Sequence, residues 1–295
     1  MRADFAIFIL SHNSPDKCLT LNTLQQYNSS NNYYIVVDNL DDKLDEYKLM
    51  YGDKLLVFDK LYYVNQSDTM YQHDKIPLSS DLYARMAIED FAKNLNLKYF
   101  CMLDDDVLNI QLRIPDHKNK KVKYVKINNI DNIFDYSIDF LVSSNCWLVS
   151  FATPNLFIGG YKTFIKNSII EKRTSSNIFI RDVSKEFNWK TIWYVDFNSC
   201  LMYNKLGKLT LNIPFIQITC KPQGSQKQIK NKLNEVDNGM GQAYKSSTAF
   251  TRAMYCVIVN PSFVNIKSVS NKDNYWPFLN KNNAYPKIIS GRYKK

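Results

Sequence analysis

Short apolar runs recur at residues 5–10, 33–37, 54–58 and 98–103, each bounded by polar or turn-forming residues. Runs of this length and make-up predict strands buried on both faces, the habit of strands in a largely parallel sheet. Between them the period changes. Pro15 followed by Leu19, Leu21, Thr23 and Leu24 predicts a loop, Ser11 to Ser14, leading into a helix. Residues 41–51 predict a short polar helix closed by Gly52. Leu82, Met86, Ile88, Phe91 and Leu95 recur at helical spacing over residues 81–95, with Ser79 or Ser80 as the cap. Strands alternating with helices in this way predict an α/β fold, an open twisted Rossmann-like sheet flanked by helices.

Further along, residues 116–126 read as a basic loop or hairpin and residues 130–142 as a helix. Residues 145–151, 156–160, 168–171 and 177–181 read as strands or strand edges, and 193–195 as the end of another. Phe197, Cys200, Leu201 and Leu206, with Gly207 just beyond, fit a short helix after Asp196. A strand at 209–219 follows, then a stretch at 221–238 without apolar period that predicts a mobile segment, then a helix within 242–254. The expected organisation is an α/β core over 1–207 and a basic C-terminal extension over 208–295 packed on it.

Charge sharpens this division. The net charge is +10, but from Cys200 onward fifteen Lys and Arg face three Asp and Glu, while the first 199 residues carry twenty-three against twenty-five. A basic third of this kind suits a polyanion, of which nucleic acid is the commonest, or is simply solvated surface. Lys221, Lys227, Lys230, Lys232 and Lys245 gather around the Gln-rich segment and are the candidate phosphate contacts. Six scattered cysteines and three histidines without ligand spacing argue against a zinc site. The apolar run near the start is too short for a signal-peptide core or a membrane span, so a cytoplasmic protein without a membrane partner is expected.

The run Tyr99-Phe100-Cys101-Met102-Leu103 empties into Asp104, Asp105 and Asp106. Three carboxylates at a strand end repel one another, and a bound Mg²⁺ or Mn²⁺ reverses that balance through oxygen ligands. Asp104 and Asp106 are the expected metal ligands, with Asp104 and Asp105 also on the donor side; the metal would act as a Lewis acid for a departing diphosphate. In open α/β sheets ligands bind beyond the carboxyl ends of strands, where this run delivers the acids.

The order of these features, Ser11-His12-Asn13-Ser14, Val37-Asp38, Tyr83-Ala84-Arg85 and Met102 to Asp106, resembles GT-A glycosyltransferases. More narrowly it resembles the TET/JBP-associated DNA glycosyltransferases of phages, relatives of the base J glucosyltransferase. The resemblance spans roughly residues 5–207. It implies that Ser11, His12, Asn13 and Asp38 contact the nucleotide of a UDP-sugar, that Arg85 lies near its phosphates, and that Asp196 supplies an active-site carboxylate. Taken residue by residue, Asp196 is a catalytic base or an N-cap, Asp38 a ribose or uracil contact or a loop starter, and Arg85 a phosphate partner or an exposed helix residue. The expected reaction moves a sugar to a hydroxymethylated base, 5-hydroxymethylcytosine, in double-stranded phage DNA. A glycan, lipid-linked sugar or protein acceptor is the alternative, and an inactive DNA-binding module the third reading.

Overall fold

A computed structural model describes residues 2–67, 80–154, 160–167, 178–221, 248–268 and 275–279. Strands β1 (Phe5–Leu10), β2 (Asn32–Asp38), β3 (Leu55–Phe58) and β4 (Tyr99–Asp104) pair in parallel in the order β3-β2-β1-β4. The sheet continues through β8 (Ile178–Asp182), β7 (Leu148–Ala152), β9 (Thr210–Cys220), β5 (Val107–Asp116) and β6 (Lys121–Lys126), making nine strands in one mixed sheet. The chain runs outward from β1 to β3 and then returns to the other side of β1 as β4. That reversal makes the β1/β4 boundary a topological switch point, the place where open α/β sheets form a ligand-binding crevice beyond their strand ends. Leu10 is in register with Asp104, so β1 and β4 end at one level, and β2, whose Val36 pairs with Leu10, runs two residues farther to Asp38.

Both faces of the sheet are covered, which is why β1 and β4 are apolar at successive positions. Phe5, Ile7, Ile9, Cys101 and Leu103 face α1 (Leu19–Gln26), α2 (Leu44–Tyr51) and α5 (Ile130–Ser143), through Leu24, Tyr47, Phe134 and Ile138. Ala6, Phe8, Phe100 and Met102 face the opposite layer. This layer is built from α3 (Lys60–Gln66), α4 (Asp81–Asn94), α7 (Val195–Lys205) and α8 (Ala249–Val259). A further helix, α6 (Gly160–Asn167), packs against β5 and β6, with Val122 and Ala152 meeting Phe164. The final described pair, β10 (Val264–Ser268) and β11 (Tyr275–Leu279), forms an antiparallel ribbon beside α8.

The α/β class and the elements around the first four strands agree with the sequence reading, and Ser80 caps α4 by accepting a 3.2 Å hydrogen bond from Leu82 N. Several local expectations change. Residues 193–195 do not end a strand: Thr191 and Tyr194 have φ of 73° and 52°, and Val195 is already the first residue of α7. An aromatic and β-branched trio imitates a strand there while the backbone turns. Gly160 opens α6 rather than ending a strand, and the predicted strands near 156–159 and 168–171 lie outside the described residues. Residues 249–254 of the predicted 242–254 helix form the start of α8; 242–247 and 222–238 lie outside the described residues. β5 was not expected as a strand, because a register shift between Val107 and Asn109 breaks its alternation. β9, C-terminal to residue 207, is an inner strand between β7 and β5. None of the six cysteines is in a disulfide. Among the described residues no helix is long and apolar enough to cross a membrane.

Candidate active site

Asp104 is the last residue of β4, and the pleat carries it to the face of Phe100 and Met102, toward α4 and α7. There it meets Arg85, a buried side chain of α4 whose Nη2 lies 3.8 Å from Asp104 Oδ1. Arg85 is fixed by Asp81 one turn earlier, which accepts from both Nε and Nη2 at 2.8 Å. Its guanidinium also lies over the rings of Phe179 and Trp189, 4.8 and 5.3 Å from their centroids. Burial disfavours the charge on Arg85, but Asp81, Asp104 and Asp196 together more than offset this and raise its pKa. Arg85 Nη1 is buried and has no hydrogen-bond partner among the described residues.

The two acids facing Arg85 are both shifted upward. Burial raises Asp104 to about 7 against the pull of Arg85, with Asp81, Asp106 and Asp105 adding repulsion. Burial likewise raises Asp196 to about 6, opposed by Arg85 and by the Phe197 amide, which donates to Asp196 Oδ1 at 2.8 Å. Asp196 sits in the first turn of α7 and is not its N-cap; Tyr194 is. The turn before it is held by Asn198, whose Nδ2 donates to Trp193 O at 3.0 Å, and by Ser80, whose hydroxyl donates to Ile192 O at 3.1 Å.

Asp105 turns the other way. Its Oδ2 accepts from Ser11 Oγ at 2.6 Å and Ser14 Oγ at 3.2 Å, and its carbonyl accepts from Thr20 N at 3.1 Å. Tyr47 closes this set, bonded to Ser11 Oγ at 2.7 Å and accepting from Ser14 N at 3.1 Å. Burial raises the Asp105 pKa, and the two serine hydroxyls oppose it. Asp105 thus ties the β1 loop to the end of β4. Asp106 is raised by burial against the Cys220 thiol and Lys221, and its Oδ1 is buried with no hydrogen-bond partner among the described residues. Lys221 N donates to Asp106 O at 2.8 Å, and the Lys221 side chain is exposed. Of the triplet, Asp105 is thus engaged with the β1 loop, while Asp104 faces Arg85 and Asp106 keeps an oxygen without a donor among the described residues.

His12 lies across the crevice between two acids, 2.9 Å from Asp41 Oδ2 and 3.6 Å from Asp38 Oδ2. Burial opposes its protonation, but Asp38 and Asp41 outweigh burial and raise its pKa to about 9, so the ring is a cation at neutral pH. The same Asp38 oxygen is bound by Lys60, a buried residue whose Nζ donates to Oδ2 at 3.0 Å. Burial of Asp38 and Asp41 is overcome by these partners, and both carboxyls fall below their ordinary range. His12, Asp38 and Asp41 have ligand atoms within 4.8 Å of one another, a spacing a metal could use. Lys60 and a protonated His12 already supply the positive charge, so this cluster is a salt-bridge network. Asn13 N donates to Asp41 Oδ2 at 2.9 Å, while Asn13 Oδ1 is buried without a partner among the described residues.

The crevice thus gathers Ser11, His12, Asn13, Asp38, Arg85, Asp104, Asp105, Asp106 and Asp196 around the ends of β1, β2 and β4. Of the five predicted phosphate contacts only Lys221 is described; Lys227, Lys230, Lys232 and Lys245 lie outside the described residues. Asp81, Asp41, Lys60 and Tyr47 were not singled out as site residues. Asp81 carried a legible signal, its i,i+4 spacing to Arg85 on a helix. Lys60 carried none, since its partner Asp38 lies twenty-two residues away in sequence.

The TET-Associated Glycosyltransferase family matches residues 5–220. No curated protein matches the chain significantly. Among solved structures, a mannosyltransferase from Pyrobaculum calidifontis in complex with GDP-Man and Mn²⁺ is 10% identical at a TM-score of 0.45. The alignment covers 83% of this chain and 65% of that one, so the chain spans less than two thirds of its length. Glucosyl-3-phosphoglycerate synthase from Mycobacterium tuberculosis, in complex with Mn²⁺, UDP and phosphoglyceric acid, is 8% identical at a TM-score of 0.43, over 93% of this chain and 86% of that one. The family match takes in the whole β1 to β9 sheet with the acidic crevice at its centre, and the chain belongs to the TET-Associated Glycosyltransferases.

Proposed function

We propose that the protein is a GT-A-type enzyme that moves a sugar from a UDP-sugar to the hydroxyl of 5-hydroxymethylcytosine in double-stranded phage DNA, in the cytoplasm of the host. The observation that carries the reading is Asp104 beside the buried Arg85, whose charge also acts on Asp196, together with an Asp106 oxygen that lacks a donor among the described residues. A buried, unsatisfied carboxylate oxygen beside acids held above their ordinary pKa is an arrangement that a divalent cation relieves. Asp104 and Asp106 would hold Mn²⁺ or Mg²⁺, which supplies Lewis-acid stabilisation of a diphosphate leaving group.

The chain's own residues divide the remaining work. Asp196, half-buried and with a pKa near 6, is ionised at neutral pH and accepts the proton of the acceptor hydroxyl. The acceptor oxygen then bonds to the anomeric carbon as the bond from that carbon to the diphosphate breaks. Arg85 Nη1, buried and without a partner among the described residues, offers a donor toward the diphosphate, while Asp81 holds the Nε and Nη2 edge of the guanidinium. Ser11, His12, Asn13 and Asp38 line the crevice on the β2 side, where the nucleoside would lie. Family membership and the basic C-terminal third support DNA as the acceptor.

The test is incubation with Mn²⁺, a panel of nucleotide sugars and duplex DNA with or without 5-hydroxymethylcytosine, followed by nucleoside mass. A hexose or pentose increment on the modified base alone is expected. Donor hydrolysis without transfer to DNA would redirect the reading to a glycan or protein acceptor, and salt-sensitive DNA binding without donor binding to an inactive module.

A further inference from the structure

The hairpin of β5 and β6 carries a basic surface that the charge distribution along the chain conceals. Residues 117–126 contain five lysines and no acid, within the part of the chain whose net charge is slightly negative. Lys118, Lys120, Lys121, Lys123 and Lys126 are all exposed, and Lys123 is bound by Asp116 at 2.8 Å. Lys162, exposed on α6, joins the same surface, because its neighbour Tyr161 bonds His117 Nδ1 at 2.6 Å. Tyr124 projects from the same edge strand, 59% exposed. Lysines commonly protect an edge strand from pairing with another sheet. That role needs an inward or flanking charge or two and does not account for a tip and a neighbouring helix that are basic as well.

Geometry connects this surface to the crevice. β5 begins at Val107, directly after Asp106, and its ten residues extend about 30 Å at strand rise. The lysine tip therefore stands roughly one DNA helical turn from the acidic crevice. We propose that the β5–β6 hairpin is a phosphate-binding arm for duplex DNA, engaging the backbone about one turn from the base presented at the crevice. The proposal rests on the DNA-acceptor reading and adds the surface that holds the duplex.

The experiment compares the full chain with a Lys118→Gln, Lys120→Gln, Lys121→Gln, Lys126→Gln variant and its Lys→Arg counterpart, leaving Lys123 with Asp116. Duplex binding is measured by fluorescence anisotropy against salt, with a 20-base-pair duplex centred on 5-hydroxymethylcytosine and with the free nucleoside as a second acceptor. The Gln variant should bind the duplex at least about tenfold more weakly, and the slope of log K against log salt should fall by about 3–4, near 0.9 for each phosphate no longer neutralised. The Arg variant should retain both, and transfer to the free nucleoside should be equal in all three proteins. Unchanged duplex affinity and slope in the Gln variant overturn the arm alone. Absence of salt-sensitive duplex binding by the unaltered protein overturns the arm and the DNA acceptor together.

Discussion

Asn260 donates a 3.0 Å hydrogen bond from Nδ2 to Oδ1 of Asn198, and both side chains are fully buried. Asn198 stands two residues after Asp196 on α7 and also bonds the Trp193 carbonyl, so the pair ties the end of α8 to the turn that aims Asp196. Lys205 adds a third partner, donating to Asn260 Oδ1 at 3.3 Å. Asn260 lies forty residues beyond the last residue matched by the family, yet it is built into the same site. Asn260→Ala leaves a buried amide oxygen without its donor and should lower stability by about 1–3 kcal/mol. Sugar transfer should fall further than donor binding, because the Asp196 turn loses its brace. Thermal melts and separate kcat and KM values check this; a lowered melting temperature with unaltered kcat would reduce the pair to a purely stabilising contact.

Asp106→Ala removes the carboxylate whose Oδ1 has no donor, and Asp104→Ala the one facing Arg85. Both should abolish metal-dependent transfer. Without metal, the Asp106 variant should melt at or above the temperature of the unaltered protein, because removing one of three crowded acids relieves repulsion. Addition of Mn²⁺ should raise the melting temperature of the unaltered protein and not of Asp106→Ala. An equal Mn²⁺ shift in both would remove Asp106 from the cation site.

Much of this site was legible in the residues alone, for a physical reason. β1 and β4 are buried on both faces, so their apolar runs are continuous and their ends sharp, and the triplet stands where one run stops. Ser80 and Gly207 mark helix ends by chemistry that needs no tertiary context. What escaped depends on contacts distant in sequence or on backbone conformation. The bulge near Val107 hid β5, and Leu61 and Tyr62 are half-exposed on α3, leaving it without an apolar stripe. Thr191 and Tyr194 adopt left-handed φ, which a β-branched and an aromatic residue rarely do, so the turn into α7 read as extended chain. Such a conformation persists only where surrounding contacts enforce it, and Asn198, Ser80 and Asn260 provide them.

Asp196 should give the transfer reaction an acidic limb. A base acts in its ionised form, so kcat/KM should rise with pH through about 6 and level off above it. Asp196→Asn keeps the shape, removes the base and should reduce kcat by about 10²–10⁴-fold. Because Arg85 holds the Asp196 pKa down against burial, Arg85→Gln should move the midpoint upward as well as slow the reaction. A midpoint unmoved in Arg85→Gln would separate the two residues.

The His12 cluster predicts a loss of stability on the alkaline side. The folded pKa of about 9 lies above the ordinary 6.5, so protonation of His12 stabilises the fold fully below pH 6.5, and this contribution is lost as pH rises through about 9. A shift of that size corresponds to roughly 3 kcal/mol, or several degrees in melting temperature. Asp104 and Asp196 are also raised and lose stability in the same direction, but their window closes near pH 7. Buried Cys18, Cys101, Cys146 and Cys256, whose thiols burial also raises, decline in the same direction toward pH 9.5, so it is the difference between the unaltered protein and a His12 variant from pH 7 to 9.5 that reports His12, with Asp38, Asp41 and Lys60 as the charged groups that face it. The unaltered protein should lose several degrees across this interval. His12→Gln, which cannot become a cation, should start lower at pH 7 and decline less. Parallel curves would mean that the Asp38 and Asp41 carboxylates are compensated by Lys60 and backbone amides alone, and that His12 is neutral in the crevice.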